Sequence, residues 1–318
     1  MKLVAPFVFL AVAAGVAEAT NAHAGLSRLS SRHSLHAHER STPAPPPSSV
    51  APQSSALPPP PPPSSSAAPQ SSAAPAAPAQ KLATSNPSLE KVTGGVINVA
   101  STCGDTGATD YITATSGPNG GIDWLNCGVT GNGWTPQQVT VDDLIVVDLA
   151  DALQDPNSPF QACQQYLSLF QQYGGQYGVP PILLASISMQ ESSCESWAVG
   201  GGGEQGLMQL TSDKCQDAPG GNCQDPDYNI MTGAKFFADT LASNNYNVLQ
   251  TIGNYNGWPW GMTYDSATAA AYSDCCRCQN NLDYIHQTVN GWLQNIDPYT
   301  NNPLLGKYFN LDKCGNTD

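Results

Sequence analysis

The sequence predicts a mainly α domain stapled by disulfides, preceded by a long segment that builds no core. Three observations predict it. Apolar residues recur at helical spacing from about residue 140 to residue 294, and all ten cysteines lie at or after Cys103. Residues 41–80 hold 14 of the 27 prolines, set among Ser, Ala, Thr and Gln with no charged residue. Such a composition cannot bury enough apolar surface to offset the entropy of ordering.

The elements follow in chain order. Met1-Lys2 is a short basic start, Leu3 to Val16 is almost unbroken apolar sequence, and Ala17-Glu18-Ala19 offers small residues for cleavage. Residues 1–19 read as a secretory signal, since the run is shorter than the roughly 20 residues that cross a bilayer. Residues 20–80 read as a disordered linker: a polar arm with His23, His33, His36 and His38, then an extended Pro/Ser/Ala stalk open to O-glycosylation. A chain exported in this way enters an oxidising compartment, so the even number of cysteines predicts up to five disulfides. Cys275, Cys276 and Cys278 stand too close together for spacing to fix their partners.

Residues 81–155 read as a cysteine-containing extension of the domain. Short β-type pieces such as Tyr111 to Thr115 are broken by Gly117-Pro118-Asn119-Gly120-Gly121, and Cys103 with Cys127 staples this part. Thr140 and Asp143 form a box-like helix start before Leu144, Ile145 and Leu149. Residues 156–318 read as the catalytic domain. Ser158-Pro159 opens a helix with Phe160, Cys163, Leu167 and Phe170 on one stripe and Gly174-Gly175 at its end. Pro180-Pro181 opens the next, Ile182 to about Ser192, and helical patterns return at 228–242, 248–254, 266–272 and 280–294.

Charge and residue types exclude several functions. Eleven Lys and Arg against 25 Asp and Glu give a formal net charge of −14, which argues against nucleic acid and against an anionic membrane. After residue 38 the only histidine is His286, so a hydrolase triad would have to use it. A pair of Cys194 and His286 is countered by the nine other cysteines, which make a disulfide the expected fate of Cys194. No histidine cluster has zinc spacing, and Gly200 to Gly203 is not followed by the Gly-Lys-Ser/Thr of a phosphate loop. No cofactor and no metal are expected.

Carboxylates remain. Glu191 follows Ile187, Ser188, Met189 and Gln190 near the C-terminal end of an apolar helix, where burial and the helix dipole both disfavour the anion. A carboxyl kept protonated in this way suits acid catalysis on a glycosidic bond. Three short motifs surround it: Gln190-Glu191-Ser192, Gly206-Leu207-Met208-Gln209 and Asn254-Tyr255-Asn256-Gly257. Gly206 lies 15 residues after Glu191, and Asn254 lies 48 after Gly206, with Ala198-Val199 and Gly203 between the first two motifs. In this order and spacing they resemble the motifs of the lytic transglycosylase and goose-type lysozyme superfamily, glycoside hydrolase family 23, over about residues 178–294. The whole chain looks like a secreted fungal branch of it.

The resemblance implies a lysozyme-like fold and a secreted or cell-wall-associated monomer, with no membrane contact once the signal is removed. Its expected partner is cell-wall polysaccharide: peptidoglycan, cut at β-1,4 bonds next to N-acetylated sugars. Glu191 takes the place of the family's single catalytic acid and base, and Tyr255 that of the tyrosine near it. Ser192, Gly206, Leu207, Met208, Gln209, Asn254 and Asn256 fall on motif positions that line the sugar groove, Gln209 as a hydrogen-bonding residue. Glu204 departs from the pattern by replacing a small residue. Facing Glu191 it would raise that group's proton affinity; facing solvent it would leave the substrate's acetamido group to assist. Asp213 lies just beyond. Chitin, being neutral, is an alternative substrate for so acidic a chain, and a binding protein using Tyr255, Trp258 and Trp260 for sugar stacking is another reading.

Overall fold

The computed structural model describes residues 94–314; the expected signal, arm and stalk lie outside them. Among the described residues the fold is mainly α, with no β-strand longer than an isolated bridge. The β-type pieces read in the first segment therefore form loops, with Tyr111 alone in a bridge. Side chains hold this segment instead of a ladder. Asn119 donates from Nδ2 to the carbonyls of Ile145 and Val289, while its backbone N–H donates to Asn290. The Cys103–Cys127 disulfide closes the segment, as expected. A single short helix, α1 (Ile122–Leu125), buries Ile122, Trp124 and Leu125.

The Asp143 carboxylate accepts from both the backbone N–H and the hydroxyl of Thr140. The box opens only a 3-10 turn, Val141–Asp143, after which Leu144 is extended. A separate helix, α2 (Leu149–Ala152), starts where the Asp148 carboxylate accepts from the N–H groups of Ala150 and Asp151. The stripe from Ser158 begins as a 3-10 run, Pro159–Tyr166, and continues as α3 (Leu167–Tyr177). Gly174-Gly175 does not end it. Gly178, at φ 66°, is the terminator, and Gly174 serves packing, because a Cβ there would sit 2.6 Å from the Val179 carbonyl oxygen where the chain turns back.

Helix α4 (Pro181–Ser192) has every residue from Ile182 to Glu191 buried. A helix apolar on all sides belongs in the centre of a domain, and α4 packs there between α3, the 3-10 run before it and the C-terminal helical segment. Its buried Ser186 and Ser188 hydroxyls donate to the carbonyls of Ile182 and Leu184 one turn back, so no donor is left unpaired. Two helices follow: α5 (Pro226–Ser243), N-capped by Asp225, and α6 (Val248–Tyr255), N-capped by Asn247.

The helix expected at 266–272 shortens to α7 (Tyr264–Ala267). The one expected at 280–294 begins as α8 (Tyr284–His286), widens to a π-turn at Gln287–Gly291 and ends as a 3-10 turn at Trp292–Gln294. One large apolar cluster includes Trp124, Trp134 and Val139 of the first segment together with residues of α3 to α6 and α8. The pairings that spacing left open are Cys275–Cys278 and Cys276–Cys314, beside Cys163–Cys194 and Cys215–Cys223.

Candidate active site

Glu191 sits in the last turn of α4 and is only 4% exposed. The helix ends sharply behind it. Ser193 and Cys194 both take left-handed conformations (φ 55° and 58°), and their N–H groups return to the carbonyls of Met189 and Ser188. The Cys163–Cys194 disulfide then ties this turn to the 3-10 run before α3. The cysteine is thus a structural bond, and no thiol chemistry attaches to it.

Burial pushes the Glu191 carboxyl up to about 8. A hydrogen bond from the Tyr284 hydroxyl to Oε1, 3.1 Å, works in the opposite direction by stabilising the anion. The Glu204 carboxylate raises it further through its charge. Glu204 is itself 3% exposed and accepts the Gly202 N–H at 3.0 Å. It therefore lies inside the protein and within electrostatic reach of Glu191, not in solvent.

The loop that carries Glu204 folds back on itself through two antiparallel bridges, Val199 with Gln205 and Gln205 with Leu210. Gly206 is required where it stands: its φ is 77°, and a Cβ would collide with the Asn229 amide. Asn229 is the loop's anchor. It donates to the carbonyls of Gln205 and Cys223 and accepts from the Met208 N–H. Leu207 and Met208 are fully buried, and their carbonyls join the loop to the helices. Ser192 donates to the Leu207 carbonyl at 2.7 Å, and Tyr255 to the Met208 carbonyl at 2.9 Å.

Glu191, Ser192, Glu204, Leu207, Met208 and Tyr255 thus converge. Tyr255 is buried against Phe236 and Phe237, and its hydroxyl is held well above its usual range by burial and by the charge of Glu191. Gln209 turns inward, donating to the carbonyls of Gly206 and Ala198, and its buried Oε1 has no protein partner among the described residues. Asn254 is engaged by Trp258 and Asn244, and Asn256 by Trp258 and Asn281. Asp213 is exposed and paired with Lys214. Of the two tryptophans, Trp258 is core, edge-on to Trp134 with centroids 5.0 Å apart, while Trp260 is 60% exposed.

Tyr284, Trp292 and Tyr299 escaped the reading of the sequence as site residues. Tyr284 contacts Glu191 from 93 positions away, and Gln190 is held by Trp292 and Tyr299. No spacing rule links such distant positions; for Tyr284 and Trp292 the available signal was a polar-tipped aromatic within an apolar helical stretch. His286 is fully buried, its ring nitrogens facing the Ala114 carbonyl and the Asn290 amide. Among the described residues no group of three or more His, Cys, Asp or Glu is placed to hold a metal ion. What remains is one buried, protonated carboxyl with a second carboxylate nearby and tyrosine hydroxyls around it, a set able to donate a proton to a substrate oxygen and take one back.

Parts of the chain are similar to known proteins. Residues 168–262 match the family described as "Transglycosylase SLT domain". Over 77 residues the chain is 40% identical to the membrane-bound lytic murein transglycosylase F of Alteromonas mediterranea, which covers 24% of this chain and 16% of that protein. Among solved structures, an inactive mutant of the lytic transglycosylase Slt from Pseudomonas aeruginosa aligns at 20% identity, covering 43% of this chain and 23% of that one, with a TM-score of 0.29. The 70 kDa soluble lytic transglycosylase of Escherichia coli aligns at 20% identity, covering 41% and 22%, also with a TM-score of 0.29. The chain spans less than a fifth of its curated relative and about a quarter of each of these solved chains.

Proposed function

We propose, from the premise that residues 168–262 match a transglycosylase SLT domain, that this chain is a secreted lytic transglycosylase acting on peptidoglycan. Glu191 is its general acid and base. The observation that carries the proposal is the Glu191 carboxyl, buried at the end of α4 and held at about 8, because a general acid works best when protonated near the operating pH. The N-terminal signal pattern supports secretion. We assign it to the superfamily's secreted fungal branch and expect it to act as a monomer.

The reaction runs in two balanced halves. Glu191 gives its proton to the glycosidic oxygen, the C1–O bond breaks, and the electron pair stays with the departing sugar hydroxyl. The acetamido carbonyl oxygen of the sugar that carries C1 supports the positive charge there. The Glu191 carboxylate then takes the proton of the C6 hydroxyl as that oxygen bonds to C1, closing a 1,6-anhydro ring and restoring the acid. Water in place of the C6 hydroxyl gives a reducing end. Tyr284 steadies the carboxylate between the two halves through its hydrogen bond to Oε1. The Glu204 charge favours recapture of the proton.

One observation favours a second reading. A formal charge of −14 opposes approach to an anionic wall, and neutral chitin carries no such barrier. Mass spectrometry of soluble products separates these. The protein and its Glu191→Gln variant are incubated with peptidoglycan and, separately, with chitin oligomers. We expect anhydro-muropeptides from the unsubstituted protein alone, with turnover lost by at least ~10²-fold in the variant. Reducing ends would mean hydrolysis, of whichever polymer yields them. Absence of product from both polymers between acidic and neutral pH would overturn the enzyme.

A further inference from the structure

Gln190, the residue before Glu191, has both ends of its amide engaged by the C-terminal part of the chain. Trp292 Nε1 donates to its Oε1, and its Nε2 donates to the Tyr299 hydroxyl at 2.6 Å. That hydroxyl donates in turn to Gln287 Oε1 at 3.2 Å, which also accepts from Asn281 at 2.9 Å. Tyr299 thus accepts on one side and donates on the other, which fixes its single proton. Its ring packs against Trp292 with centroids 6.3 Å apart.

The segment bearing Tyr299 is anchored independently. Asp283, next to Tyr284, accepts the backbone N–H groups of Lys307, Tyr308 and Phe309, and the Cys276–Cys314 disulfide ties down the far end. Residues 295–314 lie beyond the family match, which ends at residue 262. We infer that this C-terminal strap belongs to the catalytic machinery: Tyr299 is a positioning residue that, through Gln190, holds the last turn of α4 and so fixes the Glu191 carboxyl. The inference rests on the proposed role of Glu191.

The physical reason is the narrowness of the allowed geometry. An acid displaced by about 1 Å from its substrate oxygen loses on the order of 10²-fold in rate, and a helix end is the most easily frayed part of a helix. Two hydrogen bonds on the neighbouring side chain suppress that fraying from a direction Tyr284 does not cover. They also keep the turn closed, and closure is what burial of Glu191 depends on. The Tyr284 hydroxyl and the Glu204 charge act on Glu191, and the charge of Glu191 in turn raises the hydroxyls of Tyr255, Tyr284 and Tyr299. Tyr284 and Tyr299 both come from outside the three motif-bearing segments.

The test uses the full chain with Tyr299→Phe, Gln190→Met and the two combined. Tyr228→Phe serves as a control, because Tyr228 is also buried and donates its hydroxyl to a carbonyl, that of Lys214. Two quantities are read: kcat and KM on soluble peptidoglycan fragments, and the titration of the Glu191 carboxyl carbon by NMR, assigned by its loss in Glu191→Gln. We expect Tyr299→Phe to lower kcat about tenfold with KM within about twofold, and to move the Glu191 midpoint down toward the ordinary carboxylate range. Gln190→Met should do the same and stands in if Tyr299→Phe does not fold; the double variant should lose no more than either. An unchanged kcat and midpoint, or an equal loss in Tyr228→Phe, would overturn the inference. If the unsubstituted protein turns over no polymer, the functional proposal fails while the NMR titration still decides the positioning role.

Discussion

Glu191 is a carboxyl that the fold makes costly to ionise, and its neighbours push in opposite directions. Burial raises its proton affinity most, the Tyr284 hydrogen bond lowers it, and Glu204 raises it again. As the proposed acid it must carry its proton, so turnover should fall as pH rises through about 8. The signs for substitution follow. Glu204→Gln removes a like charge, makes Glu191 easier to ionise and should move the alkaline limb to lower pH. Tyr284→Phe removes a bond to the anion, makes Glu191 harder to ionise and should move that limb to higher pH while lowering kcat. Profiles of kcat against pH for the two variants check this; limbs that move together would mean that Glu191 is not the titrating group. The motif reading located Glu191 and left the direction of Glu204 open, because a Gly-rich loop permits either orientation and only the bridges at Gln205 select one.

At the scale of elements, helix α4 was legible because its signals are local: Pro181 at the start and an apolar run with no break. The 3-10 and α pieces from Ser158 to Tyr177 were less so. Gly174 looks like a stop, yet it is a point of close approach, and the terminator is Gly178 with its positive φ. A second such contact joins α6 to the N-terminal segment. A Cβ on Gly253 would run into the ring of Trp134, which is fully buried and edge-on to Trp258. Gly253→Ala should therefore destabilise the domain by about 1–3 kcal/mol despite alanine's better helix propensity. Urea unfolding measures this, and a stabilised variant would show that Trp134 is free to move. The π-turn at Gln287–Gly291 is a further case: an expected single helix widens where Gln287 meets Tyr299 and Asn290 meets Asn119.

For the whole molecule, charge and cross-links dominate. With a formal charge of −14, approach to an anionic polymer is opposed over about 8–10 Å at ordinary ionic strength. Added salt should therefore raise kcat/KM on peptidoglycan and leave it unchanged on neutral chitin oligomers. Steady-state rates across a salt series test this, and a fall with salt on peptidoglycan would point to a basic patch that composition does not reveal. The five disulfides include two that close loops of 31 and 38 residues. One fixes the turn after Glu191 and the other holds the C-terminal strap, so each restricts the unfolded chain while securing one side of the site.

The sequence by itself determined the helical class, the disulfide-rich composition and the helix on which Glu191 sits. Each of these depends on composition or on residues within a few turns of one another. Only the tertiary structure decided which cysteines pair, that Glu204 turns inward, and that Tyr284 and Tyr299 reach the end of α4 from 93 and 109 residues away. Local pattern sets propensity and caps. The partners of a buried carboxyl and of the amide beside it are set by how distant helices pack, where every enclosed polar atom must find a counterpart.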